Sequence, residues 1–576
     1  MKGWMKIALL IAVVFICVAS FYYLMFSSIF KGAPPIGRDS YLELNIFGEI
    51  SERGTADPFT RLFAGEVPSL DGLLHCIRKA KIDPKIKGII LRPLASEMGW
   101  AKAEELREVL LDFKSSGKPI YVYIEAIGNK EYYLTVVGDM IFGSPTGMLF
   151  VNGLLGGSYF FKGSLDKLGI EADFVARGKY KNAPDIFTRK NMSDSHREVI
   201  NSILDDYYQR YVEAIAQGRN LEIEQVRKII DRGVYTLAEA EQSQLIDTLL
   251  YYNEFKDYLK EKDGKKPRLV SYERYKKVPY SKLGVHAEKT FALIYAVGNI
   301  VSGIGEDAFG DGIITSESLA NLIRKVAKDK KVEAIIMRVD SPGGSGLASD
   351  VIWKEVAKAQ QEKPFIVSMS DVAASGGYYI SMSADSIVGQ PSSIVGSIGV
   401  FSGKFSFRGL YEKLGISKEE IPRGKNADLF SEIKTFNTEQ RGLIGKIGDD
   451  FYQRFVSKVA ESRNMTYEEV DKIAQGRVWT GEQALEVGLI DKLGGLKEAF
   501  EIGKKMCGIP LDEHVRVKIY PEKRSILERL LNARLETHTS LTEEFVPKSV
   551  QQYFRAFLMY SPGEPLAVLP FYPEIK

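Results

Sequence analysis

The chain of 576 residues is poor in the side chains that enzymes most often use to bind metals or to move protons. Its three cysteines are far apart and follow no pairing or zinc-binding pattern: Cys17, Cys76 and Cys507. Its five histidines are scattered without metal-ligand spacing, at positions 75, 196, 286, 514 and 538. No phosphate-binding loop is present, and no dinucleotide-binding glycine motif follows a predicted strand. We therefore expect neither a disulfide framework nor a metal or other cofactor.

Charge of one sign is not in excess either. The chain carries 77 Lys and Arg residues against 75 Asp and Glu residues, a formal net charge of +2. This balance argues against the strongly basic surface that nucleic-acid binding needs. With 45% hydrophobic residues the composition is typical of a folded globular protein, and the length predicts more than one domain.

The longest hydrophobic run lies at the N-terminus, where residues 7–30 carry no charge. Crossing a bilayer takes about 20 residues, so this run is long enough. Lys2 and Lys6 precede it, which by the positive-inside rule leaves the N-terminus in the cytoplasm. A cleaved signal peptide is the alternative, but its apolar core usually has only about 7–15 residues. The run predicts an uncleaved signal anchor, with the rest of the chain exported.

The remainder of the chain repeats itself once. Residues 87–92 (KGIILR) match residues 333–338 (EAIIMR), and farther on residues 208–210 match 452–454 at an offset two residues smaller. Two copies of one domain account for this pattern. We predict four segments: the cytoplasmic N-terminus with the anchor (1–39), a first copy (40–287), a second copy (288–511) and an unassigned C-terminal tail (512–576).

Each copy alternates short apolar runs with helical patterns. In the second copy, residues 290–297, 332–339 and 364–369 are typical of buried strands. Between the first two strands, residues 319–326 place apolar side chains at helical spacing. This alternation predicts an α/β fold with mainly parallel sheets.

Ser375 is the candidate nucleophile. It lies in the stretch DVAASGGYYIS (371–381), between two alanines and two glycines, where small neighbours leave a hydroxyl open to approach. A serine hydroxyl still needs a base to take its proton. The first copy has Asn129 at the matching position, so only the second copy can supply this nucleophile.

Gly343 and Gly344 are the candidate oxyanion turn. They directly follow a predicted strand, and the first copy has Glu97 and Met98 in their place. A Gly-Gly turn lets backbone N–H groups point into a cleft, where they can stabilise a developing oxyanion. For an isolated SPGG sequence a plain turn is the simpler interpretation. Its pairing with the SGG motif farther on, and the loss of both from the first copy, favour an active site.

The base for Ser375 is predicted to be a lysine, because no histidine is near it in the sequence. A lysine must have its pKa lowered by about 3 units from about 10.4 to be neutral at pH 7, and burial has this effect. The change in repeat offset falls where the first copy reads RGKYKNA and the second reads RGKNA. This leaves Lys179 and Lys181 of the first copy and Lys425 of the second, and the residues alone do not choose between Lys181 and Lys425.

The anchor, the repeat and four motifs together resemble the signal peptide peptidase A family of S49-type serine proteases, in its long form. The motifs are SPGG, ASGGYY, GSIG and GKYKNA. The resemblance implies a crotonase-like (ClpP-like) fold for each copy, with the serine in the second and the lysine in the first. It assigns Ser375 as nucleophile, Lys181 as general base, Ser397 as the lysine-orienting residue, and Gly343 and Gly344 as the oxyanion turn.

The resemblance also implies a reaction and partners. The expected reaction is hydrolysis of remnant signal peptides and other membrane-associated peptides by a Ser-Lys dyad. The expected assembly is a homotetramer, anchored in the cytoplasmic membrane by residues 7–30, with the catalytic part on the periplasmic side. Short family members keep both residues in one domain, so Lys425 stays as an alternative base. Ser375 and Lys181 meet either within one chain or between chains.

Two other functions compete with this interpretation. An acyl-CoA enzyme of the same superfamily would need carboxylates in the cleft and no Ser375, and an export signal counts against it. A catalytically inactive membrane scaffold is the second alternative, since the first copy has already lost its serine and its glycine pair.

Overall fold

The structure is a computed structural model that describes residues 36–54, 67–303, 312–522, 563–569 and 574–575, with isolated positions 16 and 20. Over these residues the chain forms two large, mainly parallel sheets with helices packed against them, which confirms the predicted α/β fold. The predicted membrane span at residues 7–30 lies outside the described residues, apart from the two isolated positions. None of the helices described is long and apolar enough to cross a bilayer.

The first sheet is built from the first copy. The strands of this copy are β1 (Ser40–Glu49), β2 (Ile86–Glu97), β3 (Ile120–Ile127), β4 (Met140–Phe150), β5 (Gly156–Gly157), β6 (Glu171–Arg177), β7 (Val234–Thr236), β8 (Thr248–Leu249) and β9 (Arg268–Ser271). Seven of them pair in the order β7-β4-β3-β2-β1-β9, with β8 beside β4. All neighbours are parallel except β7, which runs antiparallel to β4.

The helices of the first copy cover its sheet and connect its strands. They are α1 (Leu70–Ile82), α2 (Trp100–Lys114), α3 (Asn129–Thr135), α4 (Lys162–Leu168), α5 (Asp185–Thr188), α6 (Asp194–Arg219), α7 (Ile223–Arg232), α8 (Leu237–Gln242), α9 (Tyr252–Asp263) and α10 (Tyr272–Tyr275), followed by a 3-10 turn at Tyr280–Leu283.

The second sheet is built from the second copy. The remaining strands are β10 (Thr290–Val297), β11 (Asn299–Val301), β12 (Ile313–Thr315), β13 (Val332–Ser341), β14 (Gly343–Ser345), β15 (Phe365–Ala374), β16 (Ser386–Gly389), β17 (Ile394–Gly396), β18 (Val400–Ser406), β19 (Val478–Thr480), β20 (Lys492–Leu493), β21 (Arg516–Tyr520), β22 (Leu566–Val568) and β23 (Glu574–Ile575). Eight of them pair in the order β19-β17-β15-β13-β10-β21, with β16 beside β15 and β20.

The helices of the second copy follow the same plan. They are α11 (Ser316–Ala327), α12 (Gly346–Glu362), α13 (Gly376–Tyr379), α14 (Arg408–Leu414), α15 (Thr438–Arg463), α16 (Tyr467–Ile473), α17 (Gly481–Glu486) and α18 (Leu496–Met506).

The two sheets match strand for strand. The central strands β1, β2 and β3 correspond to β10, β13 and β15, and an antiparallel edge strand, β7 or β19, closes each sheet. The long strand β4 is divided in the second copy into β16 and β17, which both pair with β15. Strand β21 falls in the segment left unassigned from the sequence and stands beside β10 as β9 stands beside β1. The sequence repeat is therefore a repeat of the fold.

The two longest helices described begin and end with the same capping signals in both copies. Helices α6 and α15 both have 26 residues. Ser193 and Asn437 cap their N-termini, each accepting a backbone N–H three residues on. Both helices end at an asparagine in the left-handed conformation, Asn220 and Asn464. The same start and stop signals thus define the same element in both copies.

The two copies are joined by a shared core and by a third sheet. One continuous cluster of buried apolar side chains includes Leu42 and Leu106 of the first copy and Phe291 and Ile336 of the second. The third sheet has the order β12-β11-β14-β22-β18-β6. In it, β6 of the first copy runs antiparallel to β18 of the second along the full length of both strands. Because β6 pairs with β18, the segment of the first copy that follows β6 lies against the second copy.

Candidate active site

Ser375 lies where strand β15 ends and helix α13 begins. Its backbone has φ +55° and ψ −112°, which non-glycine residues rarely adopt, and its N–H donates to the carbonyl of Gly396 at 2.7 Å. Close packing explains the following glycines, since a Cβ on Gly377 would lie 2.5 Å from the Ser341 carbonyl oxygen. The local sequence therefore fixes a buried serine at a sharp turn.

Lys181 reaches Ser375 from the first copy. Strand β6 ends at Arg177, and the chain then turns toward the serine. Two contacts with the second copy fix this turn. The Tyr180 N–H donates to the Gln475 carbonyl at 2.7 Å, and a Cβ on Gly476 would lie 2.5 Å from the backbone nitrogen of Lys181. The backbone of the second copy thus sets where the lysine enters.

The amine of Lys181 meets three oxygen atoms. Its Nζ lies 2.7 Å from Oγ of Ser375, 2.9 Å from Oγ of Ser397 and 3.1 Å from the carbonyl oxygen of Ser397. The lysine is 3% exposed, and both serines are completely buried. The three side chains predicted to work together therefore meet, and they meet within one chain.

Burial lowers the pKa of Lys181 well below its usual value near 10.5. Loss of hydration disfavours the charged ammonium, and among the described residues no neighbouring carboxylate offsets that effect. A neutral amine at hydrogen-bond distance from a hydroxyl is able to accept its proton.

The residues around the lysine are held in place. Ser397 has a left-handed backbone (φ +52°), and its N–H donates to the carbonyl of Arg477 at 2.7 Å. Asn182, directly after Lys181, donates from its side-chain amide to three oxygens, on Asp185, Ser193 and Ser195. These hydrogen bonds hold in place Ser397, which contacts the amine, and the segment that follows Lys181.

Gly343 and Gly344 form a turn beside the serine. A Cβ on Gly343, which has φ +99°, would lie 2.6 Å from the backbone nitrogen of Gly376, the residue after Ser375. A Cβ on Gly344 would lie 1.9 Å from the Ile300 carbonyl oxygen. Only glycine fits at these two positions. The backbone of the turn thus lies against the residue that follows Ser375, in the region where oxyanion donors are needed.

The C-terminal segment 563–569 lies against this turn, a feature that no sequence motif indicated. Strand β22 runs antiparallel to β14 with Ala567 opposite Gly344, and the Leu569 N–H donates to the Pro342 carbonyl at 2.7 Å. An extended segment of the chain's own tail therefore fills the cleft beside Ser375 in the way a peptide strand would.

The cleft has an apolar wall next to the lysine. Leu566 and Val568 of the tail pack with Ala183 and Phe401, and Phe174 borders this cluster. In an extended chain these two tail residues point to the same side. The sequence offered only a weak signal for the wall, since Ala183 belongs to the GKYKNA motif and Phe401 follows GSIG.

The other two candidate lysines lie in solvent. Lys425 is 76% exposed and pairs with Glu439 at 2.7 Å. Lys179 is 64% exposed, and its Nζ lies 3.0 Å from the hydroxyl of Tyr180. Neither belongs to the buried group around Ser375.

At the matching position of the first copy, the side-chain amide of Asn129 makes three hydrogen bonds. The side-chain nitrogen of Asn129 donates to Asn152 (3.1 Å) and to the carbonyl of Gly153 (2.8 Å), and its oxygen accepts from Tyr211. Lys130, which replaces a glycine, donates to the Met98 carbonyl at 2.7 Å. Asn129 therefore offers no nucleophilic hydroxyl at the position that matches Ser375.

The sequence model of peptidase family S49 matches this chain twice, over residues 112–266 and 357–509. The chain is 38% identical over 486 residues to the chloroplastic serine protease SPPA of Arabidopsis thaliana, covering 83% of this chain and 71% of that protein. It is 31% identical over 504 residues to protease 4 of Salmonella typhi, covering 85% of this chain and 79% of that protein.

Similarity to solved structures is weaker. A membrane-bound stomatin-specific protease is 15% identical with a TM-score of 0.26, covering 41% of this chain and 99% of that one. A score of that size does not decide the fold of either copy.

Proposed function

Because the chain belongs to peptidase family S49, in a long form with two copies of the family domain, and is a serine peptidase, we propose that Ser375 is its nucleophile and Lys181 its general base. Ser397 orients the lysine, and the backbone of Gly343 and Gly344 holds the oxyanion. The 2.7 Å contact between Lys181 and Ser375 in a buried site is the observation that supports this assignment most directly.

The reaction begins with neutral Lys181, which takes the proton of the Ser375 hydroxyl. The oxygen then attacks the peptide carbonyl carbon, and the carbonyl oxygen becomes an oxyanion beside the glycine turn. Removing one such donor costs about 3–4 kcal/mol of transition-state stabilisation in known proteases. The C–N bond breaks as the lysine returns the proton to the leaving nitrogen, which leaves an acyl-enzyme.

Deacylation uses the same lysine. Lys181 takes a proton from water, the hydroxide attacks the ester carbon, and Oγ of Ser375 leaves and recovers the proton. Free acid and free enzyme result. A single base of lowered pKa thus serves both steps, and no second acid is needed.

The substrate is proposed to be an extended, apolar peptide, namely a remnant signal peptide or another membrane-associated peptide. The wall formed by Ala183, Phe401 and Phe174 supports this proposal, because it accepts alternate apolar side chains of an extended strand.

The setting of the enzyme is part of the proposal. Residues 7–30 would anchor it as a single-pass protein in the cytoplasmic membrane, with the catalytic part on the periplasmic side. Each copy, 40–287 and 288–511, would have the crotonase-like (ClpP-like) fold, and four chains would assemble as a homotetramer. Light scattering of the detergent-solubilised full chain tests the assembly, and a monomeric mass would contradict it.

Three alanine variants test the site. We expect Ser375→Ala and Lys181→Ala each to lower kcat/KM for an apolar fluorogenic peptide by about 10⁴-fold or more, as loss of a nucleophile or base does. Lys425→Ala is the matched control, because it removes an exposed lysine from the equivalent motif, and it should stay within about twofold of the unsubstituted enzyme. Full activity of Ser375→Ala would refute the nucleophile, and a loss in Lys425→Ala that equals that of Lys181→Ala would refute the base.

A further inference from the structure

A cluster of six charged side chains, four of them buried and two half-buried, lies between the two copies. Three come from the first copy and three from the second: Glu52, Lys102, Glu105, Arg338, Asp340 and Asp371. We call this group the interface cluster. It lies outside the contacts of the Ser-Lys pair, and the mechanism above does not use it.

Arg338 holds one part of the interface cluster. Its Nε donates to Glu52 at 2.9 Å and its Nη2 to Glu105 at 2.6 Å, and the arginine is completely buried. Both acids belong to the first copy, so these bonds tie the sheets together. This part has an evident structural role.

Lys102 holds the other part. Its Nζ lies 2.8 Å from Asp340, 3.0 Å from Asp371 and 3.8 Å from Glu52. Burial by itself would lower the pKa of Lys102, but the three carboxylates raise it well above 10.5. Lys181 has no carboxylate among its described partners, whereas Lys102 has three. Lys102 is therefore a fixed positive charge between two aspartates of the second copy.

The two aspartates sit at the strand ends that carry the chemistry. Asp340 is next to last in β13, directly before the turn at Gly343, and Asp371 lies in β15, four residues before Ser375. The pairing of these strands is irregular just there, and the carboxylate of Asp340 accepts the Val372 N–H at 3.1 Å. Asp340 and Asp371 therefore lie where the regular pairing of β13 and β15 ends, one strand leading to the oxyanion turn and the other to Ser375.

Helix α2 of the first copy is fitted to Asp371. The residue before its first turn is Gly99, which has no side chain to cap it. The carboxylate of Asp371 instead accepts the backbone N–H of Lys102 at 3.0 Å, and a Cβ on Gly99 would lie 2.0 Å from that carboxyl carbon. A carboxylate is favoured at a helix N-terminus. Both the backbone and the side chain of Lys102 thus bind the strand that ends in Ser375.

The repeat offers an internal contrast. At the same offset that aligns Asn129 with Ser375, Lys102 aligns with Ala348 in the second copy. The first copy thus has a lysine where the copy with the nucleophile has only a methyl group. Lys102 of the first copy binds the second copy, because its two nearest partners, Asp340 and Asp371, belong to the second copy.

We propose that Lys102 is a positioning residue: by bridging Asp340 and Asp371, it sets the distance of the oxyanion turn from Ser375. The inference rests on the proposed role of Ser375. Without the cation, two half-buried carboxylates face each other at the strand ends and repel, and the strands separate or shift. Misplacing reacting groups by about 1 Å can cost about 100-fold in rate.

Lys102→Met tests the proposal in the full-length enzyme. A fluorophosphonate that labels Ser375 first counts the competent sites, and kcat is then expressed per labelled site. We expect kcat per site to fall by about 10- to 100-fold with KM changed by less than about threefold, because geometry rather than peptide binding is disturbed. Lys102→Arg keeps the charge and should recover most of the rate.

Lys79→Met is the matched control. Lys79 is also a buried lysine of the first copy, but it donates to three carbonyls of that same copy, those of Tyr275, Lys276 and Val278. It should lower the melting temperature and the number of labelled sites, with kcat per labelled site unchanged.

The outcomes separate the two proposals. If kcat per labelled site of Lys102→Met is within twofold of the unsubstituted enzyme, or falls no further than in Lys79→Met, Lys102 has no positioning role. If the unsubstituted enzyme cleaves peptides yet Ser375→Ala removes neither labelling nor activity, the proposed function fails, independently of Lys102.

Discussion

Two buried lysines of the first copy show how surroundings decide what one residue type does. Lys102 lies among three carboxylates and stays charged, whereas the amine of Lys181 contacts oxygens of two serines, with no carboxylate beside it in the described part of the chain, and has a lowered pKa. A charged lysine can hold acids together but cannot take a proton. A neutral one can, at the cost of burying an amine without a counter-ion.

The pH profile of the reaction follows from Lys181. Its amine must be neutral to accept the proton of Ser375, so kcat/KM should rise about tenfold per pH unit below the lysine pKa and level off above it. Because burial lowers that pKa, the midpoint should fall well below 10.5. A pH series of kcat/KM with an uncharged peptide measures it. A midpoint at or above pH 10 would show that the lysine is not desolvated in the working enzyme.

Lys181 should also impose a pH dependence on stability. Between its folded pKa and the unfolded value of about 10.4, the unfolded chain binds a proton that the folded chain does not. This proton uptake on unfolding makes the protein less stable as pH falls from about 10.4 toward the folded pKa, and more stable as pH rises through the same window. Lys181→Met removes that slope, so its melting temperature relative to the unsubstituted protein should increase as pH falls from 10 toward 7.

The control for that comparison is Lys425→Met, whose lysine is exposed and should leave the slope unchanged. Thermal unfolding by circular dichroism gives both curves. Parallel curves for Lys181→Met and the unsubstituted protein would mean that Lys181 titrates normally when folded.

At this scale the sequence specified the proposed nucleophile more firmly than the proposed base. Ser375 and the glycine pair stood out because the first copy has Asn129, Glu97 and Met98 in their places. The base was left between Lys181 and Lys425 because their local sequences are nearly alike. Burial separates them, and burial depends on which strands pair across the two copies.

At the scale of elements, the periodic patterns located the strands well. The run at 290–297 is β10, the run at 332–339 is most of β13, and the run at 364–369 covers the first half of β15. The pairing of β6 with β18 was not predicted. These strands are far apart in the chain, and no local pattern specifies a partner at that distance.

Gly476 tests how this arrangement delivers the lysine. Gly476→Ala adds a Cβ 2.5 Å from the backbone nitrogen of Lys181, so the backbone around Lys181 must move. We expect kcat to fall by about 10- to 100-fold, because a shift of this kind misplaces the base. Gly415→Ala is the control, since Gly415 also has a positive φ but open space around its Cβ position.

Both alanines should destabilise the fold by about 1 kcal/mol through backbone strain. Only Gly476→Ala should slow peptide cleavage per labelled site. Equal rates for the two variants would mean that the turn tolerates a displaced backbone.

At the scale of the whole molecule, the repeat predicted two equivalent sheets and the structure contains them. The place of the C-terminal segment could not be predicted. Residues 566–568 form a short strand whose partners, β14 and β18, offer backbone hydrogen bonds to any extended chain. Such pairing is weakly specified by side chains.

Removing the tail segment tests whether it occupies the place of a substrate. Deletion of residues 563–576 should lower KM for an apolar peptide, because β22 no longer competes for β14. A synthetic peptide GEPLAVL, the sequence of residues 563–569, should inhibit the shortened enzyme competitively. An unchanged KM together with no inhibition by the peptide would show that substrates bind elsewhere.

The supply of Ser375 and Lys181 by different copies has a consequence for biosynthesis. Translation completes Lys181 194 residues before Ser375, so under the proposed mechanism the growing chain carries the base over that stretch with no serine hydroxyl to activate. The same mechanism makes proteolytic fragments that separate the copies inactive, since each fragment lacks one of the two residues. Under the proposed mechanism, peptide cleavage is withheld until both copies have been made and have docked, and the enzyme needs no removable propeptide to protect the cell that makes it.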